Sequence, residues 1–145
     1  MSNLYSQSIT ATSPSAASTA VLGTFHGLTR WDAFTVVAEL QGATGGTLNI
    51  YLQRKITDDV WSDWVSFAQL AGGAAAVKYA VCPALGNTIL AVGAGSDATP
   101  APALAAGNCV GGHPGDAVRV VAVAGVGTSA GTSQTVRIQA QRGVK

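Results

Sequence analysis

The sequence predicts one all-β domain, a β-sandwich or jelly roll of about seven or eight strands preceded by an extended N-terminal arm. Three observations lead to this prediction. Separate segments alternate apolar and polar residues with the period of two that a half-buried strand requires. Gly, Pro, Asn and Asp divide these segments as turn residues do, and the strong helix formers Lys and Glu are scarce. We place the arm at residues 1–20 and the sandwich domain at residues 21–145.

The arm is rich in Ser and Thr and carries few apolar side chains. Such a segment buries too little apolar surface to fold alone. Leu4, Tyr5 and Ile9 lie near its tip, which favours a segment that becomes ordered on a partner over a frayed terminus. We therefore expect these three residues to contact a partner, with strand addition to a neighbouring sheet edge supplying main-chain hydrogen bonds. Deleting residues 2–20 should then weaken partner binding and leave the domain folded.

Two strands follow with clear alternation. Residues 34–41 place Phe34, Val36, Ala38 and Leu40 on one face. After a glycine-rich loop, residues 47–55 bring every second residue from Leu48 to Leu52 to an apolar face, with polar residues between them. Each pattern predicts a strand with one side turned toward the core.

Residues 60–70 favour a third strand, although a helix competes with it. Trp61, Val65 and Phe67 share one strand face, and Trp64 lies on the other. Large aromatic residues usually belong to the core, so we expect Trp61 there. Because Trp64 falls on the opposite face, we expect it at an interface.

The middle of the chain holds two further short apolar runs, residues 77–82 and 88–92, which are separated by Pro83 and Gly86. Strands bounded by such residues are common in sandwiches. Residues 93–115 are rich in Gly, Ala and Pro, and a loop of this length inside a domain is usually functional or poorly ordered.

Two strands are predicted at the end of the chain. Residues 116–125 form an apolar run in which Arg119 is the only charged residue after Asp116, as expected of a strand covered on both faces. Residues 135–141 alternate polar and apolar residues. The simplest arrangement pairs these two segments as a hairpin.

The composition excludes several classes of function. Apolar residues make up 48% of the chain, charged residues only 10%, and the net charge is +1. The eight basic residues form no cluster, so we expect no nucleic-acid partner. Cores of protein interfaces are depleted in charge. The shortage of charged residues therefore indicates an exterior that partners or neighbouring copies cover.

The start of the chain lacks the basic and then apolar pattern of a secretory signal, and no segment approaches the ~20 apolar residues of a membrane span. We therefore expect synthesis and retention in a cytoplasm and no membrane partner. In that compartment Cys82 and Cys109 should remain two thiols, with a disulfide as the minority alternative.

No arrangement typical of an enzyme is present. Catalysis requires a nucleophile with a base, a carboxylate pair, a metal cluster or a phosphate cradle, and none of these is evident in the sequence. Asp58, Asp59 and Asp63 crowd a turn, but their spacing lacks the EF-hand pattern and its glycine, so a solvated turn is the favoured interpretation. We expect a protein that is not an enzyme and that binds no cofactor.

One short segment resembles part of a zinc site. Cys109, His113 and Asp116 fall within eight residues of one another. A structural zinc ion needs four ligands with paired spacing, and Cys82 is the only other cysteine. We expect a glycine-rich loop with incidental polar residues here, and no metal.

Four stretches resemble a known family. LNIYLQR at 48–54, followed by WSDWVSF at 61–67, looks like a hairpin of small virion proteins from tailed bacteriophages, and DAVRVV at 116–121 and VRIQA at 136–140 fit the same style. Over roughly residues 30–142 the chain resembles capsid decoration or cement proteins, jelly-roll cement proteins of podophages among them. The family has no active site, so the resemblance transfers no catalytic residue.

The resemblance implies a protein made in the host cytoplasm that binds the outside of the major capsid protein shell as a small homo-oligomer, a dimer or a trimer. Two alternatives remain. One is another virion component, such as a tail, head-completion or receptor-binding protein. The other is a carbohydrate-binding module or small hydrolase, although the Asp, Asn and Arg that sugar binding needs beside its aromatic residues are few here.

Overall fold

The computed structural model describes residues 4–58, 60–83, 104–110 and 112–142, with the side chains of 81–83 left out. These residues form two antiparallel sheets packed face to face. The nine strands are β1 (Leu4–Thr12), β2 (Thr19–Phe25), β3 (Ala33–Gln41), β4 (Thr47–Thr57), β5 (Val60–Ser66), β6 (Leu70–Ala71), β7 (Ala75–Pro83), β8 (Val118–Ala124) and β9 (Ser133–Gln141). The only helical turn within the described ranges is a 3₁₀ helix at Leu28–Arg30.

The strand order is that of a jelly roll. The first sheet has the order β1-β9-β3-β7, and the second has the order β2-β8-β4-β5, with the two-residue β6 beside β4. Neighbouring strands are antiparallel throughout. Apart from β6, the chain crosses between the sheets at every connection except β4–β5, which produces the two Greek keys of an eight-stranded jelly roll. The predicted fold class is confirmed.

The most regular sequence patterns predicted their strands well. The alternation at 34–41 and 47–55 corresponds to β3 and β4, whose inward side chains are buried. The apolar run at 116–125 contains β8, in which every side chain but one is buried, as expected for a strand covered on both faces. The predicted strand at 88–92 lies outside the described residues.

The expected hairpin between the last two strands is wrong. β9 pairs with β1 and β3 in the first sheet, whereas β8 pairs with β2 and β4 in the second. The connection between them crosses from one sheet to the other, so the inward side chains of β9 pack across the core instead of beside β8. Alternation indicates which side of a strand is buried, but it does not identify the strand that pairs with it.

The structure differs from the expected N-terminal arm over residues 4–12. These residues form β1, which pairs with β9 in an unbroken register from Leu4 opposite Gln141 to Thr12 opposite Ser133. Because β1 is an edge strand with Ser and Thr on its outward side, its composition resembles that of a polar tail. β9 supplies in the same chain the main-chain hydrogen bonds that we expected from a neighbour.

The faces of two tryptophans are the reverse of the sequence prediction. Trp64 is fully buried, and its ring meets Phe34 edge to face at 5.8 Å between centroids. Trp61 lies on the outer side of the second sheet, where the guanidinium of Arg119 is 4.4 Å from its ring centre. The cause is a β-bulge in β5, since Leu52 pairs with Val65 but Gln53 pairs with Asp63. Two residues then oppose one, and strict alternation fails at Trp64.

The core lies between the two sheets and is almost entirely apolar. Its largest fully buried side chains share an inward orientation from β2, β3, β4, β5, β8, β9 and the 3₁₀ helix. They include Trp64, Phe34, Leu28, Leu48, Ile50, Leu52 and Ile138. Tyr5 and Ile9 of β1 pack against the same cluster from the edge, so β1 contributes to the core as well as to the sheet.

One buried polar side chain fastens the end of the first sheet. Gln134 is 1% exposed. Its Oε1 accepts a hydrogen bond from the Gln41 N–H at 2.9 Å, and its Nε2 donates to the Gln41 carbonyl at 2.7 Å. The side-chain amide therefore occupies the place of a backbone pair beyond the last β3–β9 partners, Glu39 and Thr135.

Replacing this amide should destabilise the protein. We expect Gln134→Leu, which keeps the approximate volume, to lower the free energy of unfolding by about 1–3 kcal/mol, because a buried donor or acceptor without a partner costs that much. Gln139→Leu on the same strand is the control, since Gln139 is exposed and its replacement should change stability by no more than about 0.5 kcal/mol. Urea denaturation measures both. Equal effects would show that the Gln134 bonds contribute nothing.

Candidate protein-binding face

The outer side of the first sheet forms a broad face that we call the neutral face. Its side chains come from β1, β9, β3 and β7, and those of β3 and β9 alternate with buried ones. The members with described side chains are Leu4, Ser6, Ser8, Thr10, Thr12, Ala33, Thr35, Val37, Glu39, Gln41, Ala75, Val77, Tyr79, Ser133, Thr135, Arg137, Gln139 and Gln141. Most are hydroxyl, amide or small apolar groups.

Charge is nearly absent from the neutral face. Among its described side chains only Arg137 and Glu39 are charged, and their charges are opposite. Arg137 Nε donates to Ser8 Oγ at 3.1 Å, and the hydroxyls of Thr10 and Thr135 are 3.0 Å apart. These cross-strand bonds hold the side chains along the sheet, so the surface offers many hydrogen-bonding groups and only two ions that must be desolvated.

The neutral face becomes apolar at the β7 edge. Val77 is 71% exposed and Tyr79 is 75% exposed. Tyr79 lies opposite the half-buried Val37 of β3, and Val77 lies opposite Glu39. At the far corner of the face Leu4 is also largely exposed. Exposed apolar side chains that lie side by side on a sheet form a candidate surface for binding another protein.

The outer side of the second sheet is covered by the chain itself around Gln53 and Arg119, whereas Val21 on β2 is 44% exposed. Gln53 and Arg119 point away from the core, yet each is only 3% exposed. Arg119 Nε donates to Gln53 Oε1 at 2.9 Å, Gln53 Nε2 donates to Asp63 Oδ1 at 2.8 Å, and Asp63 Oδ2 accepts from the Leu104 N–H at 2.7 Å. This chain of bonds joins β8, β4 and β5 to the segment beginning at Leu104. This part of the second sheet is therefore covered on its outer side, whereas the described residues leave the outer side of the first sheet open.

The residues that the sequence assigned to an interface lie in different environments. Leu4 is on the neutral face. Tyr5 donates its hydroxyl to the His26 carbonyl at 2.6 Å and packs against Trp31, and Ile9 packs against Gly23 of β2. Trp64 is sealed in the core, so it has no surface to offer a partner. Sequence reasoning missed Val77 and Tyr79, whose outward orientation becomes evident only when β7 is recognised as an edge.

The candidate metal ligands do not converge among the residues that the structure describes. No group of three His, Cys, Asp or Glu side chains is close enough there to hold an ion. Asp58 is 3.9 Å from the Lys55 ammonium on an exposed turn, Asp63 belongs to the polar chain on the second sheet, and Asp59 lies outside the described residues. Over the described residues there is also no helix that is long and apolar enough to cross a membrane.

His113 acts as a structural latch at one end of the sandwich. Its Nε2 lies 2.8 Å from the Trp31 carbonyl, and its Nδ1 accepts from the Gly115 N–H at 2.9 Å. Its ring meets Phe34 edge to face at 5.3 Å. Both ring nitrogens are therefore engaged within the fold.

Asp116 fastens the same end of the molecule from the surface. The Thr29 hydroxyl donates to its Oδ1 at 2.6 Å, and this bond is the main reason that the pKa of Asp116 lies below its ordinary value. A depressed carboxyl pKa stabilises the fold at neutral pH, and that contribution disappears as the pH falls through the lowered pKa. The contribution is small because the side chain is exposed.

Removing the His113 latch is expected to destabilise the sandwich. His113→Phe keeps a ring against Phe34 but loses both hydrogen bonds, so we expect the free energy of unfolding to fall by about 1–3 kcal/mol. His26→Phe is the matched control, because the His26 side chain is exposed, its carbonyl still accepts from Tyr5, and the substitution removes only a minor electrostatic interaction with Asp116. Thermal and urea unfolding report the difference. Similar losses in both variants would argue against the latch.

The comparisons with known proteins concern fold alone. No protein-family model matches the sequence, and no curated protein matches it. The VP2 subviral particle of infectious bursal disease virus is similar with 10% identity and a TM-score of 0.45, over 95% of this chain and 32% of that one. The structure of the Gx strain of that virus is similar with 11% identity and a TM-score of 0.45, and the match covers 97% of this chain and 33% of that one. The chain thus spans about a third of their length, and the jelly-roll assignment rests on its own strand order.

Proposed function

We propose that this protein is a virion structural protein, not an enzyme, that binds the outside of a major capsid protein shell and stabilises the phage head. The observation that carries the proposal is the neutral face, which the described residues leave open, broad and nearly uncharged, while the outer side of the other sheet is covered around Gln53 and Arg119. Jelly rolls occur in capsid proteins but also in lectins and cupins. The fold is therefore compatible with the proposal, and the argument depends on the face.

The chemistry of the neutral face suits a protein partner. Transferring hydroxyl and amide groups into an interface costs little when the partner offers hydrogen bonds, whereas burying unpaired ions costs several kcal/mol each. The apolar pair Val77 and Tyr79 supplies the kind of anchor that dominates binding energy. On a shell with many identical sites, an oligomer that engages several of them at once binds tightly even when each contact is weak.

The N-terminal strand belongs to this binding surface. Leu4 extends the neutral face at its corner, so we retain it as an interface residue together with its neighbours Tyr5 and Ile9, which hold β1 in position against the core. The partners are the major capsid protein and further copies of this chain. The site of action is the capsid exterior, after synthesis in the host cytoplasm.

Capsid co-sedimentation tests the proposal. The purified protein should bind capsids that lack it and raise their resistance to heat. Thr10→Glu combined with Gln139→Glu places two negative charges on the neutral face, and we expect at least about tenfold weaker binding, because each charge must be desolvated without a partner. Val126→Glu with Ala130→Glu adds the same charge on the exposed β8–β9 connection and should bind normally.

Two results would contradict the proposal. The first is wild-type protein that fails to bind capsids lacking it. The second is equal binding by both charged variants, which would move the capsid contact away from the neutral face. Glycan binding by the unmodified protein without capsid binding would instead favour the carbohydrate-binding alternative.

A further inference from the structure

The β7 strand has an open edge that the rest of the described chain does not cover. It pairs with β3 through all nine residues, from Ala75 opposite Gln41 to Pro83 opposite Ala33. Within the described ranges no strand pairs with its other side. An edge of nine residues, roughly 30 Å long, presents a row of backbone N–H and C=O groups that can pair with another strand.

This edge lacks most of the features that normally prevent such pairing. The β3–β7 register contains no bulge, the single proline is the last residue of the strand, and the single charge is Lys78. Val77 and Tyr79 are exposed on its outer side. β1, at the other edge of the same sheet, differs because its outward side chains beyond Leu4 are hydroxyls that water solvates well.

An open groove of about 330 Å³ lies beside β7 on its inner side. Its walls include Phe67 and Ala68 after β5, Ala80 on β7, and Asn108. The side chain of Lys78 points into this region. The groove gives room for inward side chains of a strand added to the β7 edge.

We propose that the occupant of the β7 edge is the β7 strand of a second copy, antiparallel and related by a two-fold axis at Tyr79. Pairing all nine residues of both strands places Tyr79 opposite Tyr79 and Lys78 opposite Ala80. A slip that moves the axis to Lys78 sets two ammonium groups face to face, and like charges opposite each other destabilise a sheet. Strand length and charge therefore select the same register.

The alternative occupant of the same edge, β1 of a second copy, fits less well. It would set Val77 and Tyr79 beside hydroxyl side chains and generate a head-to-tail contact that need not close. The two-fold arrangement brings the two tyrosines together as a cross-strand aromatic pair. It also joins the two four-stranded sheets into one of eight strands and doubles the neutral face.

This dimer rests on the proposed function, which includes a homo-oligomer, and it specifies the interface and the two-fold symmetry of that oligomer. It is tested on the purified protein without capsids, so its failure and the failure of capsid binding are distinguishable. An edge of this length buries less than the roughly 800 Å² per partner of a standard interface, so we expect a dissociation constant on the order of micromolar.

Analytical ultracentrifugation from about 1 to about 200 µM spans that range. We expect a reversible dimer of twice the 14.5 kDa chain mass. Tyr79→Lys and Val77→Lys should each weaken it by at least about tenfold, since lysine on an edge strand opposes pairing. Leu4→Lys changes an exposed apolar residue at the opposite edge of the same sheet and should leave the dimer intact. Circular dichroism should show unchanged folding in all three.

Crosslinking tests the register. Under mild oxidation Tyr79→Cys should form a covalent dimer, because paired positions in antiparallel strands lie within disulfide reach. The control, Val126→Cys, is at least as exposed and should not crosslink above the background of the wild-type cysteines. A monomer at the highest concentration, dissociation by Leu4→Lys but not by Tyr79→Lys, or no specific crosslink at position 79 would each overturn the proposal.

Discussion

Trp64→Ala is expected to lower the free energy of unfolding by about 3–5 kcal/mol, the usual cost of truncating a large aromatic residue in a core. Trp64 is fully buried and packs edge to face on Phe34, so the substitution leaves a cavity between the sheets. A loss of this size is a large fraction of the 5–15 kcal/mol that stabilises a typical domain. Urea denaturation monitored by circular dichroism measures it.

Trp61→Ala is the matched control for this substitution. Trp61 lies three residues earlier on the same strand, is half-buried on the outer side, and stacks on the Arg119 guanidinium. A cation–π contact is worth roughly 0.5–2 kcal/mol, so we expect a smaller loss than for Trp64→Ala. A larger loss of stability for Trp61→Ala than for Trp64→Ala would contradict the β-bulge in β5 and the inward position of Trp64 that results from it.

Deleting residues 2–12 is expected to destabilise the domain by at least about 3 kcal/mol. The deletion removes β1, its nine-residue pairing with β9, and the packing of Tyr5 and Ile9 on the core. Burying each such side chain fully is worth about 1.5–3 kcal/mol, and both are partly buried. The loss also exposes the β9 edge, so we expect aggregation on heating.

Leu4→Ser is the control for the deletion, because it changes an exposed residue of β1 and leaves the strand in place. Its melting temperature should be close to that of the wild type. A truncated protein with a normal melt would show that residues 4–12 are dispensable for folding. It would also support the sequence-based prediction of an N-terminal arm whose deletion weakens capsid binding without unfolding the domain.

The neutral face illustrates how a correct alternation can leave a function hidden. The outward residues of β3 and β9 were readable from the sequence as the polar half of each alternation. The sequence did not show that these residues belong to one continuous sheet. That arrangement arises because β9 lies between β1 and β3, in a different sheet from β8. Long-range strand order is decided by the packing of all inward faces together, which no local pattern encodes.

The sequence by itself determined the fold class, the strands β3, β4 and β8 and the shortage of charge, because burial on one or both sides of a strand imposes its period directly on the residues. Only the tertiary structure decided the positions of Trp61 and Trp64, since a bulge depends on how two strands pair. It also decided that residues 4–12 are a strand, because an edge strand with a solvated side gains its order from main-chain bonds to a partner distant in sequence. The exposed β7 edge has the same origin, since an edge is defined by the neighbour that it lacks.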